Sequence, residues 1–173
     1  SNYQAVAIGR ESNSSGDSSL ALGRNTSATG SYSTSIGKSY AGGSYSFAAA
    51  INNQSASYGA LGTSSVVIGS QNKAAWGSTG ALVLGRFSLA SVEDCYAIGS
   101  YCTASGYYSM ALGRQSVAQT NGKMAFSNGK FATNGDAQTG KFVLKSDTTD
   151  ATPEALTTTN GTANATSQVT LPN

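Results

Sequence analysis

The sequence predicts an all-β protein in which a parallel β-solenoid is followed by a short β-rich segment. Three observations support this fold class. A short phrase, such as Ala21-Leu22-Gly23-Arg24, recurs about every 14 residues, and a fixed period of this kind is typical of repeat architectures. Within the phrase, large and small side chains alternate, which indicates a strand. A glycine usually ends the phrase, and glycine permits the backbone conformations of a tight turn.

Nine copies of the phrase can be aligned on the residue that follows the last large apolar side chain, which we call position zero. The residues at position zero are Gly9, Gly23, Gly37, Asn52, Gly69, Gly85, Gly99, Gly113 and Ser127. Position −2 is small or β-branched in each copy, whereas positions −1 and −3 are mostly large and apolar. The large apolar residues are Val6, Ile8, Leu20, Leu22, Ile36, Ile51, Val66, Ile68, Leu82, Leu84, Ile98, Met110, Leu112, Met124 and Phe126.

The second half of each copy predicts a second strand. In Cys102-Thr103-Ala104-Ser105-Gly106 the alanine keeps its place, while its neighbours are mostly polar. Two strands of about five residues, each followed by a turn, make one coil, and about nine coils make the roll. Small side chains from both strands then fill a narrow interior, and the polar face of the second strand meets water.

The large side chains of the first strand do not fit an interior built for alanine, so we expect them to point outward. Nine coils would then expose an apolar patch well beyond the few hundred Å² that is usual for a monomer. The same stripe on identical chains about a cyclic axis would cover it. The period therefore predicts a homo-oligomeric rod of roughly 40 Å, because stacked strands are ~4.8 Å apart.

The repeats resemble the head repeats of trimeric autotransporter adhesins. The resemblance is carried by the phrases AVAIGRES, LALGRNTSATGSYS and CYAIGSYCTASGYYSMALGRQS, and it covers about residues 2–128. It is weaker over residues 52–85, where the copies lengthen. The resemblance implies a left-handed parallel β-roll, and it implies that the oligomer is a homotrimer with the large apolar residues at its interface.

Residues 129–173 do not continue the repeat, and we treat residues 1–128 and 129–173 as separate regions. The second region has one clear predicted strand, residues 142–145, and too few large apolar residues for a core of its own. Its segments 135–138 and 148–153 resemble the opening of a β-rich module in bacteriophage and prophage tail fibres. This resemblance implies an incomplete module and a location in a virion tail, with a bacterial cell surface as the alternative.

Several function classes are disfavoured by composition. The net charge of +2 is too small to predict a nucleic-acid partner, and the absence of any run of 18 apolar residues predicts no membrane insertion. The first residues show no secretory signal, and the chain starts within a repeat, so we expect a piece of a longer protein. There is no histidine, and neither a calcium-binding nonapeptide nor a phosphate-binding loop is present. We predict no cofactor, no metal site and no enzymatic activity.

Basic residues occupy position +1 in five copies: Arg10, Arg24, Lys38, Arg86 and Arg114. One interpretation is a stripe that contacts the anionic groups of a cell-surface glycan. The other, which we favour, is that these corner side chains lie over neighbouring subunits and bond backbone carbonyls.

The lengthened copies contain Tyr58 and the only tryptophan, Trp76. An aromatic side chain on an exposed loop suits stacking on a sugar ring, but Trp76 could equally fold back over the subunit interface. Glu93 and Asp94 form the only adjacent acidic pair of the roll. Because neighbouring residues on a strand point to opposite faces, we interpret this pair as a solvated turn and not as the carboxylates of a glycosidase.

Cys95 and Cys102 both occupy small inward positions. Because the two strands of a coil run in opposite directions, we expect Cys95 to face Ala104 and Cys102 to face Ala97. The sulfur atoms then lie diagonally, beyond bridging distance, so we predict free buried thiols.

Three functions remain. The first is the rod of a phage tail fibre that contributes to attachment to a host-cell glycan or protein, and the second is the head of a bacterial adhesin that binds matrix or another cell. The third is an ice- or sugar-binding solenoid, which we disfavour because the second strands mix Ser, Thr, Asn and Leu instead of forming a regular threonine ladder.

Overall fold

The computed structural model describes residues 4–52, 57–147, 151 and 154–169. Most of the predicted motif at 148–153, with Pro153, and also Pro172 lie outside the described residues. The described chain contains eighteen strands and no helix, and accordingly no helix in it is long and apolar enough to cross a membrane.

The strands fall into two sheets. The first sheet contains the first strand of each coil. These strands are β1 (Val6–Ile8), β3 (Leu20–Leu22), β5 (Thr34–Ile36), β7 (Phe47–Ala49), β9 (Val66–Ile68), β11 (Leu82–Arg86), β13 (Tyr96–Ser100), β15 (Met110–Arg114) and β17 (Met124–Asn128). All of them pair in parallel with the next in this order, and β18 (Thr139–Lys141) adds to the end as an antiparallel strand.

The second sheet contains the second strand of each coil. These strands are β2 (Asn13–Ser14), β4 (Ser27–Ala28), β6 (Tyr40–Ala41), β8 (Gly59–Ala60), β10 (Lys73–Ala74), β12 (Leu89–Ala90), β14 (Thr103–Ala104) and β16 (Val117–Ala118). Each is two residues long, and β1, β3, β5, β7 and β9 of the first sheet are three residues long. The expected length of about five residues is therefore met only by β11, β13, β15 and β17. The tight turns at both ends take up the rest of the coil.

The predicted parallel β-solenoid is confirmed. Successive copies of the phrase stack in register, so that Leu84 lies opposite Ile98 and Ile98 opposite Leu112. The roll has about eight turns with a spacing of about 14 residues. The ninth phrase forms the first strand β17, but β18 follows it in place of a second strand of the roll.

The interior is filled by small side chains, as the alternation predicts. Alanines at the second position of most strands are fully buried, as are most of the residues one step before a strand. Examples are Ser19, Ala21, Ala28, Ala48, Ala90, Ala97 and Ala104. Several buried serines bond to nearby carbonyls: the Ser19 hydroxyl donates to the Gly16 carbonyl at 2.7 Å, and that of Ser65 to Gly62 at 2.6 Å. These bonds offset the desolvation cost of those hydroxyls, whereas the buried Ser46 hydroxyl has no partner.

Glycine at position zero is required by two features of the coil. Gly99 has a φ of 133°, a conformation that residues with a side chain rarely adopt. A Cβ atom on Gly99 would also overlap the carbonyl oxygen of Gly113 in the next coil. The stacking of coils at strand spacing therefore selects glycine at this corner.

The fourth copy differs from the sequence-based alignment. Strand β7 pairs Phe47 with Thr34 and Ala49 with Ile36, so position zero is Ala50 and not Asn52. Ile51 is fully buried, and its assignment to the outward stripe is wrong. The Ile51 amide donates to the Ser39 hydroxyl at 3.2 Å, and the side chain turns inward as part of the core.

After β17 the chain folds back over the end of the roll. The predicted strand at residues 142–145 is wrong: the strand lies earlier, at Thr139–Lys141, and Lys145 forms only an isolated antiparallel bridge with Thr157. The Thr158 amide donates to the Ser167 carbonyl at 2.8 Å. Side chains in this segment are mostly exposed, as expected for a segment without a core of its own.

Candidate binding surfaces

The first candidate surface is the outer face of the first sheet, which we call the apolar stripe. With the exception of Ile51, every residue predicted for the outward stripe lies on it and is half-buried or exposed. At its two ends Ile8 and Phe126 are both 56% exposed. Phe47 and Ala49 also belong to it, because they pair with Val66 and Ile68.

The stripe follows directly from the narrow interior. In each first strand the second residue points inward, as Ala97 does, so its two neighbours point outward. Because the register repeats without slippage from β1 to β17, the outward residues form two continuous columns. An apolar surface of this length on a single chain is unusual for a monomer.

The basic residues at position +1 do not form one continuous column. Arg10, Arg24 and Lys38 lie on the first three coils, and Arg24 and Lys38 together line a groove of about 440 Å³. In the next two coils, position +1 is occupied by Ile51 and Ser70. Their carbonyls accept hydrogen bonds from the amides of Gln71 and Phe87 in the following coils, as the Arg10 carbonyl does from the Asn25 amide. This interruption separates the first group from Arg86.

Near the other end of the roll, basic residues alternate with serine. Arg86 lies opposite Ser100, and Ser100 lies opposite Arg114. The serine between them reduces the repulsion that adjacent like charges would produce. Arg10 pairs with Glu11 at 3.1 Å, but both side chains are more than half exposed, so this ion pair adds little stability.

Two aromatic residues stack at the corner beside Arg86. The rings of Phe87 and Tyr101 are 5.0 Å apart between centroids and nearly parallel. The Arg86 guanidinium lies over both rings, 5.4 Å from the Phe87 centroid and 5.7 Å from that of Tyr101. This geometry is favourable for a cation–π interaction. Arg86 is thus held by aromatic rings of its own chain.

The same aromatic residues have a left-handed backbone. Phe87 has a φ of 53° and Tyr101 a φ of 58°. The turn imposes this conformation, because Asn25 and Gln71 at the equivalent position also have positive φ. Asparagine adopts it readily, whereas a bulky residue pays on the order of 1 kcal/mol. This pair was not identified from the sequence. It could have been found from the pattern of two aromatic residues at the same position in consecutive copies.

Tyr58 lies in the groove next to this aromatic stack. It is half-buried, packs against the core and lines a groove of about 320 Å³ with Lys73, Phe87 and Tyr101. Trp76 lies in different surroundings: it is 60% exposed, and its ring approaches Gly42 together with that of Tyr40. The two residues predicted to form one sugar-stacking surface therefore contribute to separate ones.

Comparison with known families bears on these surfaces. The family model described as YadA head domain repeat (2 copies) matches residues 1–26, 14–39 and 104–122. Three segments of the chain are thus similar to YadA head domain repeats. A search of curated proteins finds no significant match. The matched residues cover the first coils and the part of the roll from the end of β14 to just beyond β16, so the similarity to YadA head repeats is found near both ends of the roll.

Both cysteines of the roll are free and buried, as predicted. The Cys95 sulfur donates to the Val92 carbonyl at 3.0 Å and lies 3.5 Å from the Ala104 carbonyl oxygen, as the opposed strands require. The Cys102 sulfur lies 3.2 Å from the Gly113 carbonyl oxygen in the next coil. Burial raises the pKa of both thiols above the ordinary value, so neither is an activated nucleophile.

The acidic pair of the roll lies in a turn, as predicted. Glu93 and Asp94 connect β12 to β13, and Asp94 has a φ of 48°. Glu93 is exposed and Asp94 half-buried. Among the described residues, no three His, Cys, Asp or Glu side chains cluster in a way that could hold a metal ion.

Proposed function

We propose that this chain is part of a homotrimeric binding rod of a phage tail fibre, which contributes to attachment to the host cell. The observation that carries this proposal is the apolar stripe, which runs along nine parallel strands. Three chains with their stripes around a common axis would remove it from water. Nine strands at ~4.8 Å spacing give the rod a length of roughly 40 Å.

The number of chains is supported by the repeat family. Three segments of the chain are similar to YadA head repeats, and head domains of this kind form trimers and belong to adhesins that bind host surfaces. An adhesin-type head acts outside the cell or at a surface. These family properties support the trimer and a role in attachment.

The phage context is supported by the segment that follows the roll. Gly135 to Gln138 belong to the stretch that resembles a tail-fibre module, and they lie against the end of the roll. The alternative is the head of a bacterial trimeric autotransporter adhesin, which the YadA head match favours. Both alternatives use the same trimeric rod, and they differ in the particle that carries it.

We further propose that the rod binds and does not catalyse. Its candidate contact groups are aromatic and basic side chains at the coil corners, which suit a cell-surface glycan or protein. Such single sites are weak, but three copies on a rigid trimer can raise the overall affinity by ~10² or more when all engage the same cell.

Two measurements test this proposal. Light scattering should give three chains per particle, and a monodisperse monomer would contradict the architecture. Antibodies against the chain should label virion tails in electron micrographs of induced cultures, whereas labelling of intact bacterial surfaces would favour the adhesin.

Attachment is tested with labelled host cells. Wild type should bind, and the variants Trp76→Ala and Arg24→Ala/Arg86→Ala/Arg114→Ala should identify the contact group. If only Trp76→Ala abolishes binding to host cells, the contact group is Trp76. If only the triple variant abolishes it, the contact groups are the basic residues at position +1. If wild type binds no host cell, the region is a spacer.

A further inference from the structure

The corner groove beside the Phe87–Tyr101 stack has the features of a carbohydrate site. It is lined by Tyr58, Gln71, Lys73, Phe87, Ser88, Leu89 and Tyr101. Its volume of about 320 Å³ lies at the small end of ligand pockets, which span ~300–1,000 Å³. It extends across consecutive coils, because Lys73 pairs with Leu89 in the second sheet.

The groove offers both apolar faces and hydrogen-bonding groups. Phe87 is 38% and Tyr101 39% exposed, so the stack is open to solvent at its outer side. The Gln71 amide and the Tyr58 and Tyr101 hydroxyls are the polar groups along its wall. Aromatic faces next to a few polar groups suit a sugar, whose ring has apolar C–H faces and hydroxyls at its rim.

The charge in and beside the groove is positive. Lys73 lines it, and the Arg86 guanidinium lies over the rings of Phe87 and Tyr101, two of its lining residues. None of the described residues that line it is acidic. A carboxylate on the ligand would therefore meet two cations, one of them packed on the aromatic stack.

The backbone at this corner indicates that the aromatic residues serve more than the fold. The turn accepts Asn25 at the equivalent position of an earlier coil, and asparagine suits a positive φ better than phenylalanine or tyrosine does. Two such residues in consecutive coils have rings that meet, and Tyr32 and Tyr45 repeat this arrangement at another corner with a φ of 56° each. Aromatic residues at these corners are therefore kept at a cost in backbone energy, and the Phe87–Tyr101 pair borders the groove that contains Lys73.

We propose that this groove binds an acidic sugar unit, a hexuronate or a related carboxylated sugar, of a cell-surface polysaccharide. The sugar ring packs against the solvent-exposed aromatic surface of Phe87 and Tyr101, and its carboxylate is bound by Lys73 and Arg86. This inference rests on the proposed role in attachment and names the ligand class and the site.

The test uses the purified chain in its solution assembly and calorimetric titration with hyaluronan hexasaccharide, which alternates uronate and N-acetylhexosamine. Fully N-acetylated chitohexaose, which is neutral, is the matched probe without carboxylates. Wild type should bind the acidic hexasaccharide, with an affinity that falls as salt is added, and should bind chitohexaose at least about fivefold more weakly. No binding of the acidic probe, or equal binding of both, overturns the inference.

The variants Phe87→Asn and Tyr101→Asn remove the rings and suit the left-handed turn, so the fold should be kept. Each should weaken binding by about tenfold, and Lys73→Gln should weaken it and reduce its salt dependence. Tyr45→Ala is the control, because Tyr45 stacks on Tyr32 at a different corner. If the asparagine variants lower the melting temperature and leave binding unchanged, the rings are structural and the inference is wrong.

Failure of the groove as a sugar site can be distinguished from failure of the proposed attachment function. Host-cell binding by wild type that is unchanged in Tyr101→Asn and Lys73→Gln overturns this groove as the site but leaves the attachment rod standing. Failure of wild type to bind any host cell, with three chains per particle, contradicts attachment itself.

Discussion

Gln138 takes the place of a further strand beside Val117. The Val117 amide donates to Gln138 Oε1 at 2.8 Å, and Gln138 Nε2 donates to the Val117 carbonyl at 2.9 Å. The side-chain amide thus pairs with β16 as the backbone of the next coil would. Together with β18 on the other sheet, it closes the end of the roll, where exposed strand edges otherwise invite pairing with another chain.

Replacing Gln138 by alanine should loosen this end of the roll. Both hydrogen bonds are lost, and Val117 is half-buried, so we expect a loss of about 1–3 kcal/mol in local stability. Hydrogen exchange of the Val117 amide should rise accordingly. Gln119→Ala is the control, since Gln119 is exposed beside the same strand. Equal exchange rates in the two variants would mean that Gln138 does not cap the sheet.

Leu112→Asp tests the apolar stripe. Leu112 lies between Ile98 and Phe126 on the outer face, and a carboxylate placed there in a trimer would be desolvated without a partner. We expect the variant to dissociate or unfold, as measured by light scattering and circular dichroism. Thr103→Asp, on the outer side of the second sheet, should remain assembled. A Leu112→Asp protein that stays trimeric would place the interface on another face.

The parts of the fold that repeat were predictable, because each coil obeys the same local geometry. Alternation places Ala97 inside and Ile98 outside without knowledge of any distant contact. The same rule failed at Ile51. This residue lies two positions beyond the end of β7 at Ala49, in the turn that follows the strand. The inward direction of the Ile51 side chain depends on residues that are distant in sequence, namely Ser39 and Gln71, which form hydrogen bonds with the Ile51 backbone.

The candidate sites were less predictable than the fold. Tyr58 and Trp76 were grouped because they are close in sequence, but the roll separates residues of one coil and joins equivalent residues of neighbouring coils. Phe87 and Tyr101 meet for that reason, as do Tyr32 and Tyr45 at another corner. The contact of Gln138 with Val117 follows no period, and nothing in the local pattern indicates it.

The two thiols should be unreactive in the folded rod. Burial raises their pKa, so the thiolate is scarce at neutral pH. We expect iodoacetamide to label Cys95 and Cys102 slowly under native conditions and fully after denaturation without reductant. An intrachain disulfide found by mass spectrometry would contradict the register of the opposed strands.

Serine should replace either cysteine at little cost. Ser109 occupies the place of Cys95 in the next coil and Ser116 that of Cys102, and both are buried. We expect Cys95→Ser and Cys102→Ser to change the free energy of unfolding by less than about 1.5 kcal/mol, whereas Cys95→Leu overpacks the narrow interior and costs about 1–3 kcal/mol. Thermal denaturation of the three variants measures this difference.

Asp136 organises the turn that leads into Gln138, and its charge state should control that turn. The amides of Ala132 and Thr133 donate to one carboxylate oxygen at 2.6 and 2.7 Å, and that of Phe131 donates to the other at 2.8 Å. These bonds to the charged form, chiefly those from Ala132 and Thr133, hold the pKa of Asp136 below its ordinary value. A lowered folded-state pKa stabilises the turn above the unfolded pKa of ~3.9, and this contribution is lost as the pH falls through the lower folded value. Amide resonances of residues 131–133 should therefore titrate together with a midpoint below ~3.9, and the Asp136→Asn variant should lack this titration. A midpoint at or above the ordinary aspartate value would show that the three bonds do not form in solution.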